Sequence, residues 1–405
     1  MPPNLLSTLS FLSLFLVSHT LAVKAESVDV SAELGLESRY FFEQGLQNQE
    51  RFQPSIRGEL EYQNAIDANY FNFVLFGRFD SEDMERSHID IREAYWTHVA
   101  DNWEMKVGVS KVFWGVTESR HLVDVINQTD LVENVDGEDK LGQPMLKFAI
   151  EREWGNLDFF WLPYFRERTF PGKQGRLNAL PFIVDVENTQ YQSSAEQWHN
   201  DFALRYAVYI DDLDIAISHF SGTSRNPVFV DKNGFPTRAP IYNQIDQTGL
   251  ELQYIFEEWL WKFEGITSSG EVQRYSAAVF GFEYTQVGIL ETSADLGWIV
   301  EYLFDDRRQQ KNLEKSALHS FERDFFLGWR YAMNDIDSIQ FLAGIIYDPK
   351  TEEMLYSLEF NQRLASDLKL NIEVRSFQGA EASKQLKTFY LRDEDYIQLE
   401  LVKFF

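Results

Sequence analysis

The chain has 405 residues, a formal net charge of −27 and no cysteine. The absence of cysteine excludes disulfides and thiolate metal sites, and the acidic balance argues against nucleic-acid binding. Aromatic residues make up 15% of the chain, although its mean hydropathy is −0.33. This combination is typical of sheets with one apolar and one polar face, and the length suits one large barrel or two to three ordinary domains.

The N-terminal segment is the longest apolar stretch in the chain. Residues 5–23 are mostly apolar, and small residues follow around position 25. The pattern predicts a signal peptide over residues 1–25, cleaved to leave residues 26–405. A single anchor helix is the alternative, because no Lys or Arg precedes the apolar segment. A membrane-spanning helix needs about 20 apolar residues, and no such run follows.

A two-residue alternation begins directly after this segment. Val28, Val30 and Ala32 alternate with polar residues, which indicates a strand with one apolar and one polar face. The pattern recurs along the chain, less regularly where Glu93 interrupts the apolar face that starts at Ile89. It predicts about eighteen strands, with sixteen as the alternative, near residues 28–37, 56–62, 71–79, 88–98, 103–109, 146–151, 157–161, 201–210, 213–218, 250–256, 259–264, 278–284, 295–302, 324–331, 339–345, 356–361, 368–375 and 396–405.

The connections between these strands alternate in length. The tight ones are residues 67–69, 101–102, 155–156, 211–212, 257–258, 334–335 and 365–367, and the long ones are 110–143, 164–198, 221–247, 305–320 and 378–394. Short turns at one rim and long loops at the other are typical of outer-membrane barrels. In hydrocarbon a sheet must close to pair its backbone groups. The predicted fold is therefore all-β, a single transmembrane antiparallel β-barrel; a soluble secreted sandwich or propeller is the alternative.

The last ten residues carry a resemblance to a known class of protein. Ile397, Leu399, Leu401 and Phe405 lie on one face of an extended chain, and Lys403 departs from the pattern. The segment resembles the closing strand of a Gram-negative outer-membrane porin barrel. This resemblance implies a location in the cell outer membrane, contact with outer-membrane lipid, and recognition of the strand ending in Phe405 by the barrel-assembly machinery. A homotrimer is one assembly that it allows.

Residues 111–143 form the most unusual connection. They lack alternation and are more apolar than a solvated loop, which predicts an inward-folded loop that narrows the lumen. A loop packed over the barrel mouth is the alternative, since loops of this length are uncommon without a role. Phe113-Trp114-Gly115 and the following Asp-Val-Ile-Asn run resemble a segment of barrels near the alginate-export and phosphate-selective porin families. The constriction candidates are Trp114, Glu118, Arg120, Asp124 and Asp130.

Charged side chains on the predicted inward faces form two sets. The bases are Arg57, Arg78, Arg92, Lys106 and Lys147, and the acids are Asp214, Glu251, Glu264, Glu283 and Glu301. In a closed barrel the two sets face each other and predict a transverse field that selects ions. Glu59, Glu61 and Lys262 are exceptions, and a lumen of mixed charge without selectivity is the alternative. Phe76, Trp96 and Phe160 are predicted inward aromatics.

Motifs for covalent chemistry are not evident. The acidic stretch 130–139 lacks the ligand spacing of an EF-hand, so divalent-cation binding there stays open. The seven His residues show no metal-ligand or triad arrangement. The sequence therefore predicts a passive channel for small hydrophilic solutes, not an enzyme, without metal or cofactor. The alternatives are an outer-membrane barrel enzyme such as a lipid hydrolase, and a structural or adhesion barrel with a plugged lumen.

Overall fold

A computed structural model describes residues 27–180, 182–230, 237–269, 273–307, 321–379 and 390–405. The predicted signal peptide over residues 1–25 lies outside the described residues. Among the described residues, no helix has the length and apolar character needed to cross a membrane.

Eighteen strands form one antiparallel barrel sheet. Its first nine strands are β1 (Ser27–Phe41), β2 (Phe52–Ile66), β3 (Asn69–Asp80), β4 (His88–Val99), β5 (Trp103–Ser110), β6 (Gln143–Arg152), β7 (Gly155–Leu162), β10 (Asp201–Ile210) and β11 (Leu213–Thr223). The other nine are β14 (Gln244–Phe256), β15 (Trp259–Ser268), β16 (Tyr275–Gln286), β17 (Asp295–Asp305), β18 (Arg323–Ala332), β19 (Gln340–Asp348), β20 (Glu353–Ala365), β21 (Leu368–Gln378) and β22 (Tyr396–Phe404).

The sheet closes on itself. Strand β1 pairs with β2 on one side and with β22 on the other, where Glu33 lies opposite Phe404 and Phe41 opposite Tyr396. Each remaining barrel strand pairs with its two neighbours in the barrel, so no edge is left open among the barrel strands that the structure describes. The predicted all-β barrel of about eighteen strands is confirmed.

The two faces of the sheet differ as the alternation predicts. On the outside, Leu34 and Leu204 are 40% and 45% exposed. On the inside, Phe76, Arg78 and Glu264 are buried, because loop residues occupy part of the lumen beside them. An apolar outer surface around a polar interior is typical of barrels that span a bilayer, and it is the reverse of a soluble sandwich.

Strand β4 contains a β-bulge that reverses its phase. In the pairing with β3, Val74 lies opposite Glu93 and Leu75 opposite Ile91, so Arg92 is the extra residue. One inserted residue moves every later side chain to the other face. The predicted inward orientation of Trp96 is therefore wrong: it pairs with Phe71 on the outer face. Phe76 and Phe160 are buried on the inner face.

Connections at the two rims differ in length. Two-residue turns such as residues 67–68 and 211–212 join strands at one rim, and Asp67 and Asp211 take φ angles of 53° and 51° there. Tight hairpin turns require such positive φ values, which Asp tolerates better than most residues. The other end, here called the loop rim, carries the long connections 111–142, 163–200 and 224–243.

A second, four-stranded sheet lies in the long connections at the loop rim. Its strands are β8 (Ile183–Val184), β9 (Gln190–Tyr191), β12 (Val228–Val230) and β13 (Thr237–Tyr242). The same connections contain two 3-10 turns, Val186–Asn188 and Glu196–Trp198, and a third turn, Ile289–Glu291, lies between β16 and β17. Strand β13 pairs in parallel with β8 and β9. Phe170, Leu180, Phe182 and Phe229 form its apolar cluster. The sheet joins two loops that the sequence suggested were separate.

Candidate functional site in the barrel lumen

The connection between β5 and β6 lies inside the barrel, and residues 111–142 are here called the lumen loop. Its side chains Trp114, Val123 and Ile126 are 3%, 0% and 0% exposed. They pack with inward residues that include Phe160, Ala203, Ile245, Ile266, Val279, Ile299, Leu303 and Phe326. Burying each such apolar side chain contributes about 1.5–3 kcal/mol. The unusual apolar content of this loop is accounted for by contact with the inner wall.

A carboxylate on β15 binds the first half of the lumen loop. Glu264 Oε1 accepts hydrogen bonds from Val116 N at 2.7 Å and from Thr117 N at 3.0 Å. Glu264 Oε2 accepts from Leu122 N at 2.7 Å and from Val123 N at 3.3 Å. Because the Glu264 side chain is fully buried, several N–H donors converging on it compensate for its lost hydration.

A second carboxylate, on β17, binds the same turn. Glu301 accepts from Glu118 N at 2.7 Å, from Ser119 N at 2.8 Å and from the Ser119 hydroxyl at 2.5 Å. The Glu118 side chain in turn pairs with Arg330 of β18 at 2.6 Å. Residues 116–123 thus form a cluster of N–H donors around two wall carboxylates, an arrangement suited to holding anionic groups.

Arginines on the opposite wall bind the second half of the lumen loop. Arg78 of β3 pairs with Glu133 at 2.8 Å, and Arg92 of β4 pairs with Asp130 at 2.7 Å. Arg86 donates to the Val132 carbonyl at 2.9 Å. The side chains of Arg78, Arg86, Arg92, Asp130 and Glu133 are all buried. Breaking one partner of a buried pair costs about 3–5 kcal/mol, so this wall holds the loop firmly.

Several charged residues that were predicted to line the pore instead bind the lumen loop or other residues of the wall. Arg78, Arg92, Glu264 and Glu301 hold the lumen loop. Four further charges have partners on the wall itself: Arg57 pairs with Glu400 at 2.5 Å, Lys147 with Asp158 at 3.7 Å, Glu251 with Arg205 at 3.0 Å and Glu283 with Lys262 at 3.3 Å. Lys106 lies 4.2 Å from the centroid of the Tyr95 ring. In the described part of the chain, Lys106 and Asp214 lack an ion-pair partner within 4.0 Å.

The five constriction candidates lie at different depths. Trp114 and Asp130 are buried, and Asp124 pairs with Lys140 at 3.1 Å with its side chain 1% exposed. Glu118 makes the contact with Arg330 described above. The Arg120 guanidinium lies 5.9 Å from the centroid of the Phe321 ring. Each of these contacts holds part of the lumen loop in place, and the constriction role of the five residues stays a prediction.

Four of the five acidic residues in the stretch 130–139 have separate basic partners. Beyond the Asp130 and Glu133 pairs, Asp136 binds Arg375 at 2.9 Å and Glu138 approaches His121 at 3.5 Å. His88, Asp130 and Glu133 offer ligand atoms within 4.8 Å of one another. Arginines already occupy both carboxylates of that group, so the geometry is an ion-pair network in which a divalent cation would have to displace a guanidinium.

A cavity of about 510 Å³ remains between the lumen loop and strands β1–β4 and β22. The buried pairs around Arg78 and Arg92 form one side of it. The exposed groups on its surface include Lys111, Phe113, Glu138 and Asp139 of the lumen loop. Sequence reasoning missed Phe113 as a lumen-facing residue. The available signal was its place beside Trp114, because neighbouring residues of an extended segment point in opposite directions.

A second loop crosses the barrel mouth at the loop rim. Residues 166–180, here called the mouth strap, leave the β7 side and reach β1 and β22. Arg176 Nε pairs with Glu394 at 2.9 Å, and its guanidinium lies 3.9 Å from the centroid of the Phe41 ring. It also donates to the carbonyls of Glu50 at 3.0 Å and Asp393 at 2.8 Å. The Arg176 side chain is 1% exposed, so the strap is anchored at its far end.

Comparison with solved structures finds barrels of related architecture. OccD3 (OpdP) of Pseudomonas aeruginosa matches with a TM-score of 0.52 at 10% identity, over 94% of this chain and 91% of that chain. OmpT of Vibrio cholerae, an outer-membrane protein in its trimer form, matches with a TM-score of 0.46 at 10% identity, over 94% and 100%. A mutant of Rh. blastica porin matches with 0.45 at 10% identity, over 94% and 100%.

These likenesses concern the fold. At 10% identity, OccD3 shares the barrel architecture of this chain, and the other two matches add no argument. No family model matches the chain, and no curated protein matches it either. The resemblance of residues 113–130 to barrels near the alginate-export and phosphate-selective porin families stays a prediction.

Proposed function

We propose that the chain is an outer-membrane channel through which small hydrophilic solutes diffuse down their gradients. The observation that supports this most is the cavity of about 510 Å³, lined by charged side chains, that remains between the lumen loop and the wall. Barrels of about 16–18 strands are wide enough to leave an aqueous passage. A loop that narrows this passage, bordered by acids and bases, favours small polar solutes over apolar ones.

The proposed location is the outer membrane of a Gram-negative bacterium. It rests on the apolar outer surface of the barrel and on the predicted signal peptide over residues 1–25. In this orientation the loop rim faces outward, and the short turns face the periplasm. Outer-membrane lipid would then surround the barrel, and the assembly machinery would recognise the strand ending in Phe405. A homotrimer is the assembly we would test first.

Current recordings in planar lipid bilayers test the proposed function. Purified, refolded protein should insert and give stepwise, ohmic increases in conductance in KCl. The enzyme alternative is tested on the same sample in detergent micelles, where phospholipid hydrolysis should stay at the background of a buffer control. Hydrolysis without conductance would show that the protein is a lipid hydrolase and not a channel.

A plugged structural barrel is the second candidate. The mouth strap and the lumen loop both occupy the barrel interior or its entrance, which is the specific observation in its favour. It predicts stable insertion into bilayers without any conductance. The two candidates therefore give opposite results in the same recording.

Neutralising Arg57 is expected to increase cation preference. Arg57 lines the cavity and contacts Glu33 and Glu400 on the wall, and among the described residues none of its hydrogen bonds goes to the lumen loop. Arg57→Gln leaves two carboxylates unbalanced, which should raise the K⁺/Cl⁻ permeability ratio roughly two- to threefold. The measurement is the reversal potential in a KCl gradient, with Lys350→Gln at an exposed rim position as the control. An unchanged reversal potential would count against charge-based selectivity at this wall.

Cation preference is also expected to fall as the pH drops through about 7. Desolvation within the barrel, and then the negative charges of Asp136, Glu133 and Asp130, raise the pKa of Asp139 to about 7, against the opposing effect of Arg92. Because a carboxyl group with a raised pKa is protonated below that value, Asp139 loses its charge on acidification. Reversal potentials measured from pH 5.5 to 8.5 should show this change in the native chain. Asp139→Asn should remove the step near pH 7 and leave the rest of the profile.

A further inference from the structure

One aromatic side chain of the lumen loop is exposed where its neighbours are not. Phe113 is 59% exposed in the cavity, whereas Trp114 beside it is 3% exposed. Because this ring stays in contact with water, it lacks much of the stabilisation, about 1.5–3 kcal/mol, that full burial of a Phe side chain provides. Small-molecule pockets commonly combine aromatic side chains with a few placed polar or charged groups.

The backbone around Phe113 is held in place. Lys111 N donates to Glu93 Oε1 at 3.0 Å, and Val112 N donates to Asn127 Oδ1 at 2.8 Å. Gly115 follows with a φ of 142°, a conformation that other residues rarely adopt. The Phe113 and His121 rings are nearly perpendicular, at 82°, with centroids 4.6 Å apart. The ring is therefore presented to the cavity by a rigid segment, which limits the entropy lost when a ligand binds.

The accessible charges around this ring are mainly negative. Glu138, whose side chain is 59% exposed, contacts the same His121 at 3.5 Å. Glu59 and Asp139 also line the cavity, and in the described part of the chain neither has an ion-pair partner within 4.0 Å. Lys111 is the one accessible base among these lining residues without such a partner. Arg57 and Lys140 also line the cavity, but they pair with Glu400 and Asp124. Among the lining groups without a Lys or Arg partner, three carboxyl groups therefore stand against one ammonium group, which leaves a surplus of negative charge above the pKa of Asp139.

The arginines on the barrel wall do not cancel the excess negative charge beside the Phe113 ring. Arg39, Arg78 and Arg92 line the same cavity but are 4%, 8% and 5% exposed. Each is within ion-pair distance of a carboxylate: Arg39 with Glu37 at 3.3 Å, and Arg78 and Arg92 as described above. A soluble anion would have to displace a buried carboxylate to reach these arginines, so the cavity is a poor binding site for anions.

We infer that Phe113, together with Glu59, Glu138 and Asp139, forms a subsite for organic monocations that carry an apolar or aromatic group. The inference rests on the proposed channel function, because the subsite lies on the passage. The face of a Phe ring attracts an ammonium ion, the carboxylates add charge attraction, and the ring surface covers the apolar part of the solute. The cavity volume of about 510 Å³ lies within the range of small-molecule sites, about 300–1,000 Å³.

Block of the single-channel current by phenethylammonium tests this subsite. The native channel should show concentration-dependent, brief interruptions of current. Phenylacetate has the same ring with the opposite charge, and ethylammonium has the charge without the ring, so both should interrupt the current far less. Phe113→Ala should raise the half-blocking concentration of phenethylammonium about tenfold, and Phe113→Tyr should keep it near the native value. Glu138→Gln should raise it less, by roughly threefold.

The control is Trp198→Ala, which removes an aromatic side chain 69% exposed at the loop rim and should leave block unchanged. Ohmic current without block by phenethylammonium would overturn the subsite and leave the proposed function intact. Equal block by phenylacetate would also overturn it, because charge would then play no part. The absence of any current from inserted protein would overturn the channel itself.

Discussion

Replacing Glu264 by Gln is expected to increase the open-channel conductance and its noise. The buried carboxylate accepts hydrogen bonds from Val116 N, Thr117 N, Thr117 Oγ1, Leu122 N and Val123 N. A Gln amide keeps one acceptor oxygen and turns an NH₂ group toward donors that need an acceptor. Hydrogen bonds to a charged group are worth about 1.5–3 kcal/mol each, and buried donors without a partner cost a similar amount. Residues 116–123 should therefore leave the wall for part of the time.

The effect of Glu264→Gln should appear in single-channel recordings as a larger mean conductance with more frequent fluctuations. Adding Glu301→Gln should enlarge both changes, because Glu301 holds Glu118 N and Ser119 N of the same turn. The matched control is Glu283→Gln, an inward carboxylate on β16 that pairs with Lys262 of the wall. Heat-dependent electrophoretic mobility would check that each barrel is folded. Folded Glu264→Gln barrels with native conductance and noise would show that the lumen loop does not limit the current.

The barrel could be predicted from sequence because the two faces of each strand differ in polarity. Apolar residues such as Leu34 and Leu204 face outward and ionised ones face the lumen, so the two-residue period is preserved along most strands. The period failed at β4, where the bulge at Arg92 moved Trp96 to the outer face. Two consecutive inward polar residues, Arg92 and Glu93, were the trace of that bulge in the sequence. Without knowledge of the pairing with β3, these two residues cannot be told from an irregular alternation.

The roles of the lumen charges could not be predicted in the same way. Alternation identified Glu264 and Glu301 as inward residues, but their hydrogen-bond partners lie far away in the chain: Thr117 is 147 residues from Glu264, and Ser119 is 182 residues from Glu301. Apart from the hydroxyls of Thr117 and Ser119, these partners are backbone N–H groups, which carry no residue signature. A carboxylate that faces water and one that binds a buried turn therefore look identical in sequence.

Long-range loop contacts were the other unpredicted part. Strands β8 and β9 have two residues each, too few for a period to be recognised. The mouth strap depends on Arg176 reaching the opposite side of the barrel, where its partners include backbone carbonyls of Glu50 and Asp393. Neither feature follows from local pattern. Strands β8 and β9 depend on β13 of another connection, and the Arg176 contacts depend on barrel closure, which brings β1 and β22 together.

Replacing Arg176 by Ala is expected to free the mouth strap and admit larger solutes. The guanidinium pairs with Glu394, donates to three backbone carbonyls and lies over the Phe41 ring. Removing it leaves the buried Glu394 carboxylate without its cation, a loss of about 3–5 kcal/mol. The barrel sheet does not depend on this contact, because its strands pair with one another. Local opening of the strap should therefore occur in a folded barrel.

Two measurements should report that opening. Limited proteolysis of inserted protein should cut Arg176→Ala barrels within residues 166–180 at a rate at least tenfold above native, while Lys173→Ala, at an exposed position in the same strap, should be cut at the native rate. Liposome swelling should extend to larger sugars in the Arg176→Ala variant. Arg176→Lys keeps the charge but not the planar fork, so it should protect the strap only in part. Native protection of Arg176→Ala would mean that the apolar cluster of Phe170, Phe182 and Phe229 holds the strap closed without the arginine.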